Sequence, residues 1–341
     1  MVVKVGTLSR NLLEGTDGAD RLYGDVRNLI STRVGGPDKI LGHKGVDTIY
    51  GDTVTLGGRG RGGADWISGG NDRDTIYGDA LSMKSYARGG NDYIRGDHGS
   101  DTLFGDAREM FSFTVAGNDR IYGGSYNDEI HGDAEFMTDS AIAGHDSLYG
   151  ESGTDHIYGD AFAMYGLVIG GNDRIYGGSN SDRLYGDAVI LNGQARGGSD
   201  FIDGGTGNDT IYGDAQTAGT SVAYGNDTLY GGDGNDRLYG DSSYGGFGND
   251  YLNGGRGNDT MDGGGGRDVF AFDIASGKDT IWFYEPGIDQ IDLRAWRIPS
   301  FDDISIGQRS GYTVILLSGS SHYIRLENIT ASSLTGADFI L

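Results

Sequence analysis

The chain has 341 residues and a net charge of −24, with 65 glycines, 3 prolines and no cysteine. So little proline excludes collagen, the missing thiols exclude a disulfide framework or a thiolate metal site, and the acidity excludes a nucleic-acid partner. Regularly spaced Ile, Leu and Tyr argue against disorder, and no apolar run is long enough for a membrane span.

Residues 1–14, MVVKVGTLSRNLLE, lack the apolar core of a secretory signal peptide. They are expected to form an N-terminal cap, with Asn11 and Leu13 as a worn first repeat. Over residues 15–267 the acids keep strict time. Asp38, Asp65, Asp92, Asp119, Asp146, Asp173, Asp200 and Asp227 stand 27 residues apart. So do Asp20, Asp47, Asp74, Asp101, Asp128, Asp155, Asp182, Asp209 and Asp236. A third series, the Asp of a Gly-Asp pair, contains Asp25, Asp52, Asp79, Asp106, Asp133, Asp160, Asp187, Asp214 and Asp241. Four residues after these come Leu29, Leu56, Met83, Met110, Met137, Met164, Leu191 and Ala218. The unit is therefore three nonapeptides, the third carrying an apolar residue where the others carry Asp. After Asp241 the beat shortens, with Asp250, Asp259 and Asp268 nine apart.

Within a nonapeptide, Asp-x-Ile/Leu-x has the two-residue period of a short strand with one side chain facing inward. The residues between are Gly, Asn, Asp and Ser, which accept tight turns. Short strand and tight turn at fixed length predict an all-β, right-handed parallel β-solenoid. Stacking of Met83, Met110, Met137 and Met164 favours a three-sided coil of 27 residues. An 18-residue roll with nine-residue outward loops is the alternative. The slot after the second strand's apolar residue holds Tyr23, Tyr50, Tyr77, Phe104, His131, Tyr158, Tyr185, Tyr212 and Tyr239. It is read as an outward aromatic stripe, either simple rung-on-rung stacking or a platform for an extracellular polysaccharide or cell surface.

Rungs of a parallel sheet lie about 4.8 Å apart, so stacked carboxylates repel by roughly 1 kcal/mol per pair even in water. Cations must lie between them. Asp oxygens and turn carbonyls form a hard-oxygen set that suits Ca²⁺, whereas Zn²⁺ would call for His or Cys. The expected ligands are the first two series (Asp38 to Asp227 and Asp47 to Asp236), with Asp250 and Asp259. Asp79, Asp106, Asp133, Asp160, Asp187 and Asp214 are candidates that either bind metal or cap their turns. His43, His98, His131, His145 and His156 share no slot and are expected in exposed turns.

The phrases GGTGNDTIYG (204–213), GGDGNDRLYG (231–240) and GGRGNDTMDG (254–263) resemble the RTX calcium-binding nonapeptide. That resemblance implies multiple bound calcium ions between successive coils. From Asp268 glycine thins and strands lengthen, with YTVILL (312–317) among them. DVFAF (268–272), GKDTI (277–281), GIDQIDL (287–293), FDDISI (301–306) and LTGADFIL (334–341) resemble the C-terminal segment of RTX proteins exported by type I secretion machinery. Residues 268–341 are thus expected to combine a β cap with a secretion signal, and the protein to be extracellular without an N-terminal signal peptide. Trp282 stands where that family often has an acid, which argues against a calcium site there. No H-E-x-x-H or G-x-S-x-G motif occurs, so no enzyme is expected. The function implied is a calcium-folded structural or interaction module. The alternative is a calcium-dependent membrane-active effector or pore former.

Overall fold

A computed structural model describes residues 1–243, 245–316 and 322–341. Three parallel sheets stack coil upon coil along one axis. The first sheet has thirteen strands, from Leu12–Glu14 and Lys39–Lys44 to Tyr251–Arg256, Val269–Ala271, Gln290–Asp292 and Phe339–Ile340. The second has fifteen, among them Val3–Val5, Arg21–Tyr23, Glu129–His131, Thr260–Asp262 and Lys278–Trp282. The third has eight, from Asn28–Leu29 to Ala215–Ala218.

The register follows the sequence period. Ile94 pairs with Ile121 and that with Leu148 in the first sheet, while Leu103 pairs with Ile130 and that with Ile157 in the second. In the third, Met83, Met110, Met137, Met164 and Leu191 stand in one column. The 27-residue coil is the one the chain forms, and the third nonapeptide is a hydrogen-bonded sheet, not a loop. The third sheet stops after Ala218, and the coil contracts. Thr228 pairs with Tyr251 across 23 residues, and Tyr251 with Val269 across 18. The two-nonapeptide coil is therefore present too, but only near the C-terminal end.

Each 27-residue coil encloses two apolar cores. Ile and Leu of the first and second sheets form one, including Leu22, Ile49, Ile121 and Ile130. Leu29, Leu56, the four methionines and small residues such as Ala134 and Ala141 form the other under the third sheet. Met suits this second core because its flexible side chain fills the irregular space beside alanine.

Two expectations about side chains need correction. The aromatic slot is not outward: Tyr50, Phe104, Tyr158 and Tyr212 are buried, and the rings stack with centroids 4.6–5.2 Å apart. The chain bends sharply at the following Gly-Asp, and Val54, Leu81, Phe162 and Val189 of the third sheet pack against these rings. A stripe so covered is no polysaccharide platform. His131 is likewise buried, between the rings of Phe104 and Tyr158, and His156 is half-buried in a strand. His43, His98 and His145 are exposed as expected, but only His145 lies outside a strand, His43 and His98 being at strand ends.

Beyond Asp268 both long sheets continue without a break. Lys278–Trp282 pairs with Tyr323–Glu327 in parallel, and Tyr312–Leu316 and Ser305–Arg309 follow antiparallel. Leu317 of the expected YTVILL strand lies outside the described residues. Phe339–Ile340 adds to the first sheet beside Ile291 and Asp292, with Phe339 buried.

Candidate metal centres

The strands place their leading Asp residues at the turns, one above another. At the outer turn, between first and second sheets, Asp101 N–H donates to Asp128 Oδ1 at 2.8 Å, and Asp128 N–H to Asp155 Oδ1 at 2.8 Å. This file runs from Asp20 through Asp47, Asp74, Asp182, Asp209, Asp236 and Asp259. A second file lies at the neck between the two cores. There Asp92 N–H donates to Asp119 Oδ1 at 2.7 Å and Asp119 N–H to Asp146 Oδ1 at 2.6 Å. Asp38, Asp65, Asp173, Asp200, Asp227 and Asp250 continue it. One carboxylate oxygen of each acid is thus spent on the neighbouring coil.

The other oxygen is orphaned. Oδ2 of Asp65, Asp92, Asp119, Asp146, Asp173, Asp200 and Asp227 is buried with no hydrogen-bond partner, as is Oδ2 of Asp74, Asp101, Asp128, Asp155, Asp182, Asp209, Asp236 and Asp259. Most lie beside a glycine carbonyl of the next coil. A Cβ added at Gly105 would overlap both the Gly132 carbonyl oxygen and Asp119 Oδ2, and one at Gly150 would overlap the Gly177 carbonyl and lie 2.5 Å from Asp155 Oδ2. Glycine is required because any side chain would fill this cradle of oxygens.

Leaving buried charged oxygens without partners costs several kcal/mol each. Burial accordingly pushes Asp119, Asp146 and Asp173 well above the carboxylate range, and neighbouring Asp charges push Asp119 and Asp173 further. At the outer turn burial raises Asp128 and Asp182 to about 8 and Asp155 to about 7. A cation between rungs removes both penalties. Among the described residues no three His, Cys, Asp or Glu side chains converge on one point. A centre here must draw most of its ligands from backbone carbonyls. Such an oxygen set with two acids fits Ca²⁺ and gives Zn²⁺ no nitrogen or sulfur.

The Gly-Asp acids behave differently. Asp79, Asp106, Asp133, Asp160, Asp187 and Asp214 each accept the N–H of the glycine eleven residues on, as Asp187 does from Gly198 at 2.7 Å. They cap the neck turn, one of the two roles open to them. The second oxygens of Asp160, Asp187 and Asp214 are nevertheless unpartnered, and these residues lie against the neck file. Their pKa values are raised too, by burial first, that of Asp160 to about 7.

The ladders run further than the sequence expectation. Asp250 N–H donates to Asp268 Oδ1, Asp268 N–H to Asp289 Oδ1 and Asp259 N–H to Asp279 Oδ1. Asp279 and Asp289 escaped notice because the spacing breaks to 20 and 21 residues there, although DTI and DQI repeat the motif. A second aromatic ladder was also missed. Tyr122, Tyr149 and Tyr176 stack on the outer surface of the first sheet, half-exposed, with Tyr93 tilted against Tyr122. Tyr93 sits one residue after its Asp and Tyr122 three after, so no single slot signals the ladder.

The RTX calcium-binding nonapeptide repeat model matches ten segments: 5–26, 35–53, 59–80, 86–107, 113–134, 143–163, 170–188, 194–217, 223–243 and 241–270. No curated protein matches the chain. A similar solved structure is the AlgE6R3 subunit from the Azotobacter vinelandii mannuronan C5-epimerase, 27% identical over 33% of this chain and 71% of that one, with a TM-score of 0.26. With the repeat model matching more than half of its residues, the chain belongs to the RTX calcium-binding nonapeptide repeat family, and its parallel β-solenoid binds multiple calcium ions.

Proposed function

We propose that this protein is a secreted structural or interaction module, exported unfolded by a type I machinery and folded by calcium outside the cell. The observation that carries this reading is the double file of buried, half-satisfied carboxylates. Asp119 and its neighbours cannot all be charged in the folded chain without a cation, so folding and calcium binding are one equilibrium. The ligands are the neck and outer-turn acids, each through its orphaned oxygen, with glycine carbonyls completing the shell.

Cytosolic calcium is low, and extracellular modules bind at roughly 10⁻⁴–10⁻³ M. The chain would stay extended inside and fold outside. The C-terminal end agrees with this order. Phe339 is buried beside the first sheet, and Asp338 holds the Thr335 and Gly287 N–H groups, each at 2.7 Å. An export signal at 338–341 would be legible in the unfolded chain, whereas in the folded one Asp338 and Phe339 are buried. Neither H-E-x-x-H nor G-x-S-x-G occurs in this sequence, and the role proposed is not enzymatic.

Calcium titration followed by circular dichroism tests the proposal. The expected result is loss of strand signal in chelator and cooperative recovery near millimolar calcium, with a stoichiometry on the order of ten. A chelated sample with full strand signal and unchanged melting would overturn it.

A further inference from the structure

The third sheet turns back toward the neck at a tight corner. The corner residue is left-handed in successive coils, with φ from 64° to 96° at Ser31, Gly58, Ser85, Ser112, Asp139, Gly166 and Gly193. Residues just past it project outward in columns. One column bridges Arg61, Arg88, Val115, Ile142, Ile169 and Arg196. The column beside it contains Arg59, Tyr86, Phe113 and Leu167.

These columns change character along the solenoid axis: Val34 precedes Arg61 and Arg88, then Val115, Ile142 and Ile169 follow, and Arg196 comes next. In the N-terminal coils Arg59, Arg61, Lys84 and Arg88 are exposed, and among the described residues none forms an ion pair. In a chain of net charge −24, four cations on neighbouring rungs without an ion pair are a local reversal of field. In the following coils these positions are apolar apart from Ser140, with Phe113 54%, Leu167 55% and Ile169 45% exposed. A groove of about 340 Å³ joins the two halves, lined by Arg59, Arg61, Tyr86, Arg88, Phe113 and Val115.

We propose that this ridge docks the calcium-loaded protein on an anionic lipid surface. Arg59, Arg61 and Arg88 would receive lipid phosphates, and Phe113, Leu167 and Ile169 would enter the headgroup–acyl boundary. The chemistry disfavours a polysaccharide at this ridge. Tyr86 and Phe113 stack on each other at 5.2 Å, and Arg59 lies over the Tyr86 ring at 5.9 Å, so little ring face is left for a sugar. Leu167 and Ile169 offer a sugar no directional contact, whereas an acyl boundary asks for none. The binding is peripheral: no helix among the described residues is long and apolar enough to cross a membrane.

The inference rests on the calcium-folded state, so dichroism and calcium stoichiometry are measured on every sample before binding is read. Calcium-loaded full-length protein is floated with phosphatidylcholine vesicles with and without phosphatidylserine. Partition onto the phosphatidylserine vesicles alone is expected. The triple variant Arg59→Gln, Arg61→Gln, Arg88→Gln should weaken it on the order of 100-fold. The pair Leu167→Ser, Ile169→Ser should weaken it on the order of 10-fold or more. Calcium bridging between surface carboxylates and the lipid would leave the arginine variant unaffected and overturns the proposal. So does equal partition onto phosphatidylcholine alone, retention of the ridge by a soluble polyuronate instead of vesicles, or a concentration-dependent dimer that Leu167→Ser abolishes.

Discussion

Each coil carries acids at two turns, and the two are built from the same residues in different surroundings. At the outer turn one Asp per coil stands without a second acidic file beside it, as Asp128 does between Asn127 and Glu129. At the neck the Asp119 file runs beside the Gly-Asp file, between two apolar cores. Burial raises the outer acids to about 6 to 8, and at the neck burial first and then the charges of neighbouring Asp residues hold Asp119 and Asp173 well above the carboxylate range. One hydrogen-bonding pattern thus serves two electrostatic loads. The neck should be where calcium decides whether the coil closes, and the outer turn where it adjusts a coil already closed.

Removing calcium tests that difference most severely. At pH 8 with chelator, dichroism should show the strand signal lost. The sign with pH follows from folded-state pKa values that lie above the unfolded value near 3.9. The metal-free fold is favoured by these groups below about pH 4 and loses that contribution as pH rises through about 6 (Asp101) to 8 (Asp128). Chelated protein acidified to about pH 4 should therefore regain strand. If it does not, burial of charge is not what opens the coil.

Next in size, Met137→Asp places an unpaired charge in the second core and should cost several kcal/mol in denaturant unfolding with calcium present. A value near zero would mean that the third sheet opens without the rest. Gly105→Ala should cost about 1–3 kcal/mol, because its Cβ overlaps the neck cradle. Gly18→Ala, with nothing within 4 Å of the new atom, should stay within about 0.5 kcal/mol.

The finest test is a pair. Asp119→Asn and Asp128→Asn should both lower calcium affinity by titration calorimetry. The larger loss is expected for Asp119→Asn, whose calcium also neutralises the charges of the adjoining Gly-Asp file. Equal effects would erase the distinction between neck and outer turn.

Much of this was legible in the chain. A fixed period fixes the register, since residues 27 apart must lie over one another if the coil closes, and Met137 over Met110 follows from arithmetic. Ile121 and Ile130 had to face inward because strands alternate and the cores need apolar side chains. The Asp files followed from the same two facts, and so did the need for cations.

Tertiary structure alone decided the rest. Alternation along Asp128, Ile130 and His131 places His131 outward, and locally it is. It is buried between Phe104 and Tyr158 in a column over which the chain, bending at the Gly-Asp, lays third-sheet side chains such as Phe162 on Tyr158. Likewise no spacing could tell that the coil holds two cores with acids walled between them. Sequence period specifies what stacks on what, because each rung repeats its neighbour. How the faces of one rung close on each other depends on side-chain volume and turn geometry within the rung, and that only the folded coil reveals.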